Sequence, residues 1–219
     1  MAAPSDPNTK FRNPTKCPVA DCNEIFTESA LLEHLLSDHT NIDAKPLLEG
    51  EQLRIPLQKN SFPNSGQPIC SQIILYGGKE DCLRAVKSGL SRRNLTTSCC
   101  PYGEHLVVLL MGCRIPSMIR LPEEDNPATV GDFEVPDDFV LWLIAPKIER
   151  PLFAHVSVSH HQNKFALGDR VQVKDFQSFG QPNPLLQQGL DYLLLTGGAM
   201  DLMTNSGQSS LDVVICLEE

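Results

Sequence analysis

Beyond about Gly50 the chain is written in short apolar runs separated by turn residues. The runs are Leu53–Leu57, Ile69–Tyr76, His105–Cys113, Phe139–Ala145, Leu152–Ser159, Phe165–Val173 and Leu211–Leu217. Two stretches alternate with period two, Phe153-Ala154-His155-Val156-Ser157-Val158-Ser159 and Arg170-Val171-Gln172-Val173-Lys174, as a strand does with one face in a core. Val, Ile and Leu dominate the runs, and Pro, Gly and Asn punctuate the gaps. Short strands without long helices between them predict a mainly β fold, an antiparallel sandwich. One helix is expected at Pro184–Leu195, where Pro184 suits a first turn and Gly197-Gly198 a stop. The predicted organisation is a disordered, Pro- and Asn-rich lead-in over 1–15, a small unit over 16–45 and the β domain over 46–219.

The small unit carries the clearest chemistry. Cys17-x4-Cys22-x11-His34-x4-His39 supplies two thiolates, expected on a hairpin, and two imidazoles about one helical turn apart. Those are the four tetrahedral donors of a structural zinc site, in a ββα-type finger. Phe26, four residues after the second Cys, and Leu31, three before the first His, stand where such a unit needs packing residues. Thr27 is placed to cap the helix. A segment this short cannot bury a core alone, so one zinc ion is expected to supply its folding free energy.

Charge narrows the partners. The 219 residues hold 18 Lys plus Arg against 27 Asp plus Glu, a net charge of −9. Such a chain repels phosphate backbones. The finger itself holds five acids (Asp21, Glu24, Glu28, Glu33, Asp38) and no Lys or Arg between Cys17 and His39. It lacks the side chains that read a major groove, so nucleic acid is not the expected partner. No apolar run is long enough to cross a bilayer, and residues 1–14 lack the apolar centre of a signal peptide. A cytoplasmic or nuclear protein with reduced thiols is expected. Two blocks, basic Arg84–Arg93 and acidic Glu123–Asp138, read either as solvated loops or as contact surfaces for a partner of opposite charge, and the sequence does not choose.

Candidate catalytic groups are few. Cys99-Cys100 with His105 could form a nucleophile and base, and His160-His161 a metal or acid–base pair. Neither lies in a nucleophile elbow, a P-loop or a metalloprotease helix. Cys113 and Cys216 fall inside apolar runs, where Cys acts as a small hydrophobe. Gly77-Gly78 and Gly197-Gly198 read as turn glycines. The expectation is a protein that is not an enzyme.

A Cys-x4-Cys-x11-His-x4-His finger followed directly by an all-β domain resembles the carboxy-terminal, substrate-binding region of the seven-in-absentia ubiquitin ligases. Further stretches match in order. Gly50-Glu51-Gln52-Leu53 opens the first strand, and Cys100-Pro101-Tyr102-Gly103-Glu104-His105 leads into Leu106–Leu110. Phe139–Ile144 and Leu152–Ser159 take the places of the next two strands. Tyr192–Leu195, Met200-Asp201-Leu202 and Asn205-Ser206-Gly207 precede Leu211–Cys216 as the family's last helix, turn and strand do. The resemblance covers about residues 16–219 and implies a TRAF-like β-sandwich behind the finger. No RING array stands ahead of Cys17, the family's other zinc finger is missing, and a longer excursion over about Gly77–Ser98 interrupts the early strands.

The resemblance therefore implies an adaptor: a module that binds a peptide or protein partner and reaches ubiquitin-dependent degradation through another subunit. It also implies a homodimer, because the family dimerises through its sandwich. Substrates of the family add as an extended peptide to an edge strand, where unpaired N–H and C=O groups give affinity. The matching positions are Leu48, Gln52, Leu53, Ile55 and Leu57, with Pro56 withholding one N–H. Read from the residues alone, Leu53, Ile55 and Leu57 form one alternating core face, which leaves Leu48 and Gln52 to meet a ligand. The alternatives are a nuclear, nucleic-acid-associated zinc-finger factor, a structural subunit of a larger complex, and, more remotely, an enzyme using Cys99 or Cys100.

Overall fold

The computed structural model describes residues 14–27, 30–63, 66–77, 105–117, 136–146, 151–160, 166–176 and 191–218. Residues 1–13, Arg84–Arg93, Cys99, Cys100, His161 and most of Glu123–Asp138 lie outside them. In chain order the elements are β1 (Thr15–Lys16), β2 (Ile25–Phe26), α1 (Leu31–Asp38), β3 (Ala44–Leu47), β4 (Leu53–Leu57) and β5 (Ile69–Gly77). There follow β6 (His105–Ile115), β7 (Asp138–Ala145), β8 (Phe153–Ser159), β9 (Ala166–Gln172), β10 (Lys174–Asp175), β11 (Leu193–Leu195), α2 (Gly197–Thr204) and β12 (Leu211–Glu218). Every apolar run of the sequence holds a strand, displaced by a residue or two at most. Among the described residues no helix is long and apolar enough to cross a membrane.

Two sheets follow from the pairing. One has six strands in the order β10-β7-β6-β5-β3, with β11 also on β7, and the other has four, β4-β12-β8-β9. A third, two-stranded pairing joins β1 to β2. The expectation of a wholly antiparallel fold needs correction, because β3 runs parallel to β5 and β10 parallel to β7. The cause is the path of the chain. It leaves the six-stranded sheet after β3, forms β4 in the other sheet and returns as β5. After β7 it forms β8 and β9 in the other sheet and returns as β10. Each excursion brings the chain back in the same direction, as a parallel pair requires.

Period-two alternation then sorts the side chains into two cores. From β7, Phe139, Leu141, Leu143 and Ala145 join Val213, Ile215, Val156 and Val158 of the four-stranded sheet in one buried cluster. The intervening Val140, Trp142 and Ile144 join a second cluster with Leu31, Leu32, Leu35 and Leu36 of α1. β6 divides the same way, Val108 and Leu110 against Val107, Leu109 and Met111. Among the described residues the six-stranded sheet thus shares one buried cluster with the other sheet and, from its opposite face, a second with the unit that carries the Cys and His residues and with Phe176, Tyr192 and Leu194.

The helix expected at Pro184–Leu195 is not found where it can be seen. Leu193–Leu195 form a strand antiparallel to Phe139–Leu141, and 177–190 lie outside the described residues. Gly197-Gly198, expected as a stop, instead open α2. Thr196 caps that helix by accepting from the Ala199 N–H (3.3 Å), and Asn205 closes it at φ 50°. Gly197 is there for close approach. Its N–H donates to the buried Asp138 Oδ1 (2.9 Å), and a Cβ would lie 2.5 Å from the Pro136 carbonyl oxygen. Gly197→Ala is therefore expected to lower stability by about 1–3 kcal/mol through overpacking against backbone. Gly198→Ala, with nothing within 4 Å of its Cβ, is expected to raise stability by up to about 1 kcal/mol through helix propensity. Urea unfolding of the two variants checks both signs.

Candidate metal centre

Antiparallel pairing of Thr15 with Phe26 and Lys16 with Ile25 closes a hairpin whose loop holds both cysteines. The loop folds on itself. The Cys17 N–H donates to the Glu24 carbonyl (2.9 Å) and the Cys22 N–H to that of Val19 (3.2 Å). Asp21 takes φ 63°, a left-handed turn that Asp tolerates better than most residues.

α1 delivers the histidines. Five residues along an ideal helix would turn His39 about 140° away from His34. The helix instead ends at Asp38, and His39 leaves it at φ −110°, ψ 52° with its N–H on the Leu35 carbonyl (3.3 Å), which brings the ring back. The start of α1 differs from expectation. Ala30 is its N-cap, without a side-chain cap, and Thr27 contributes its carbonyl to the Ala30 N–H (2.9 Å). Phe26 packs its ring 4.8 Å from that of His34, and Leu31 is fully buried.

These elements bring the four sequence-predicted ligands together. The donor atoms of Cys17, Cys22, His34 and His39 all lie within 4.8 Å of one another. Cys17 Sγ is 3.3 Å from His39 Nε2, and Cys22 Sγ is 3.5 Å from His34 Nε2. The two Nε2 atoms are 3.2 Å apart. Ligand bonds of about 2.0–2.1 Å to nitrogen and 2.3 Å to sulfur give tetrahedron edges of about 3.3 Å (N to N) and 3.5 Å (N to S). The residues present fit a tetrahedral metal ion.

A second ring of groups orients the first. His34 Nδ1 meets Asp38 Oδ2 at 2.8 Å and Glu24 Oε2 at 3.2 Å, and Ser37 Oγ donates to Asp38 Oδ1 (2.9 Å). A proton on Nδ1 satisfies the carboxylates and leaves Nε2 free to ligate. The hydrogen bond from Ser37, then that from His34, holds the Asp38 carboxyl below its usual range. Burial, then the neighbouring His34, lowers His39, which favours the neutral ring a metal needs. Burial, with Cys22 beside it, pushes the Cys17 thiol up to about 12. A bound cation reverses that last effect by making the thiolate the favoured form. Glu24 and Asp38 escaped the sequence reading, which counted them only as acids. The signal was present in the i, i+4 spacing of His34 and Asp38.

The remaining candidates separate. Ile55 and Leu57 are buried on β4, facing the core, and Leu53 packs against it. Leu48 is half-buried and Gln52 exposed, at the turn where the Glu51 N–H donates to the Leu48 carbonyl (3.1 Å). His105 is half-buried on β6, and His160 is buried beyond the end of β8. Burial pushes the Cys113 thiol up to about 11, out of nucleophilic range. Cys216 is half-buried on β12, away from the inter-sheet core. Asp137 and Asp138 of the acidic block serve the fold: Asp137 Oδ2 holds Arg114 Nε at 2.7 Å, and Asp138 is buried beneath α2.

Cys22→Ser is expected to abolish stoichiometric metal content, measured by atomic emission on purified protein. Asp38→Asn is expected to keep the metal at saturation and to weaken affinity about 10–100-fold in competition with a chelating dye.

The comparisons with other proteins bear on the whole of this architecture. No curated protein matches the chain. Residues 16–206, which include all four metal-site side chains, match the family described as Domain of unknown function (DUF4729). The chain belongs to that DUF4729 family.

Proposed function

We propose that this chain is a non-catalytic protein-interaction module, a TRAF-like β-sandwich fronted by a structural zinc site, that takes an extended peptide or protein segment onto strand β4. On this reading the resemblance to the substrate-binding region of the seven-in-absentia ligases is one of function as well as of order. Another subunit then makes the connection to ubiquitin-dependent degradation, in the cytoplasm or nucleus. Zinc is the metal that two thiolates and two imidazoles at tetrahedral spacing favour, and four protein donors leave no open position for catalysis.

The observation that carries the reading is the place of β4 at the end of the four-stranded order. Its inward side chains, Ile55 and Leu57, anchor the strand to the core. Exposed Arg54 and Pro56 alternate with them, and exposed Gln52 precedes them. Pro56 withholds one donor, so a partner's main chain would pair around it rather than along every residue. The nucleic-acid alternative draws less support. α1 turns its leucines into the protein and offers Glu33, Ser37 and Asp38 to solvent, a surface of the wrong sign for phosphate.

The test is a display selection for extended peptides against the intact chain, followed by N-methylation of each selected peptide bond in turn. Edge-strand addition predicts loss of binding at every second methylated position, and at least a tenfold weaker affinity for the Leu48→Arg, Gln52→Arg double variant. Peptides insensitive to both changes would favour a structural subunit without a groove.

A further inference from the structure

We propose that the Cys/His unit is a metal-clasped lid on the outer face of the six-stranded sheet, and that loss of the metal releases it and uncovers the apolar surface around Trp142. The proposal rests on the reading of Cys17, Cys22, His34 and His39 as a metal site, and concerns what that site controls.

The two faces of the sheet are covered by unequal material. The inner face meets four paired strands, themselves locked by long antiparallel registers such as Asp212–Glu218 against Phe153–Ser159. On the outer face, Ile73, Leu75, Leu109, Met111, Val140, Trp142 and Ile144 share one buried cluster with the four leucines of an eight-residue helix, and Phe176, Tyr192 and Leu194 complete it among the described residues. Isolated helices shorter than about 12–15 residues are marginal in water. α1 also has no side-chain N-cap, and its last turn carries Asp38 and no base, the wrong sign for the helix dipole. The metal and its ligands therefore contribute much of what gives the lid its shape. Yet the lid is what buries Leu31, Leu32, Leu35 and Leu36 against the sheet.

The attachment has a fixed end and a free end. The fixed end follows α1, where the Asp43 carbonyl accepts from the Ile73 N–H (2.8 Å) and from Gln72 Nε2, and β3 then pairs in parallel with β5. Between anchor and helix lies a single turn, closed by the Ile42 N–H on the His39 carbonyl (3.0 Å). At the hairpin end, a polar contact among the described residues is an exposed hydrogen bond from Gln67 Nε2 to Asp21 Oδ1 (3.3 Å). Releasing four ligands thus leaves the hairpin and helix free to swing from residues 40–42 while β3 stays in place.

The chain carries one tryptophan, fully buried in the cluster it shares with the leucines of α1, and its emission is the readout for release of the lid. The experiment strips metal from the full-length protein with a chelator under reducing conditions. It follows metal content, Trp142 emission, binding of an apolar dye, and amide exchange over Phe153–Ser159 and Leu211–Glu218. The expected result is that departure of one equivalent of zinc shifts Trp142 emission to the red and admits the dye. Both changes should reverse on adding zinc, and protection of the two segments should persist. Full loss of metal with unchanged emission overturns the proposal, as does loss of protection in both segments together with the shift. Leu35→Glu provides a second handle that leaves the four donors in place. It is expected to retain one equivalent of zinc and to show the red-shifted emission, and zinc-loaded Leu35→Glu with wild-type emission overturns the proposal. Failure of the underlying reading has its own signature: a wild-type chain that takes up no zinc.

Discussion

Strand β7 is buried at all eight of its positions, and a strand in that condition has to be covered twice. Most antiparallel sheets leave one face to water and show it as alternation between apolar and polar residues. Asp138-Phe139-Val140-Leu141-Trp142-Leu143-Ile144-Ala145 shows no such alternation. Its odd positions are met by the four-stranded sheet and its even ones, from Val140 on, by the cluster that includes α1. The one charged residue, Asp138, is tolerated because its carboxylate accepts the Gly197 N–H at the start of α2. Much of the architecture answers this demand. β11 and β10 occupy successive parts of the same edge of β7, one antiparallel and one parallel, and β6 occupies the other.

The metal cluster takes its importance from the same demand. A hairpin and a short helix would otherwise be a peripheral ornament, but here the leucines of the helix are part of the buried cluster on that second face. The electrostatics suit that role. The acids around the site, Glu24 and Asp38, point at His34 Nδ1 and are used to orient a ligand. The leucines that in a groove-reading finger would face its own small core are turned onto a sheet of the host domain.

What could be read beforehand was whatever the chain encodes locally. Period two and apolar runs gave the long strands, because a strand's burial shows in its own residues. The four donors were legible because a metal fixes ligand type and spacing within a short stretch. The misreadings concern elements defined by something distant. β3, with Lys45 and Pro46 among its four residues, has no strand pattern of its own and went unpredicted, because it is defined by β5 beside it. Leu193–Leu195 has a helix-like apolar context and becomes a strand because β7 offers an edge there. Gly197 reads as a helix stop and is instead a place where Pro136 leaves no room for a side chain. The parallel pairings were invisible for the same reason, since direction depends on which sheet the chain visits in between.

The lid and the proposed peptide edge belong to different sheets, yet the chain joins them by a short path. The segment from His39 through β3 to β4 runs from the last metal ligand to the end of the four-stranded sheet in fewer than twenty residues. Lys45 of β3 reaches across to the Arg54 carbonyl of β4 (3.5 Å), so the two edge strands touch near the turn at Leu48–Glu51. Both strands carry a proline, Pro46 and Pro56, which limits how far either edge can pair with a stray chain. Under the proposed reading, an edge protected in this way would select partners by the few donors it leaves open rather than by a continuous ladder. Because β3 is held by β5 and not by the metal, the geometry of that edge is expected to survive the opening of the lid. Metal occupancy and peptide binding would then be separable properties of one domain, each set by a different face of the same core.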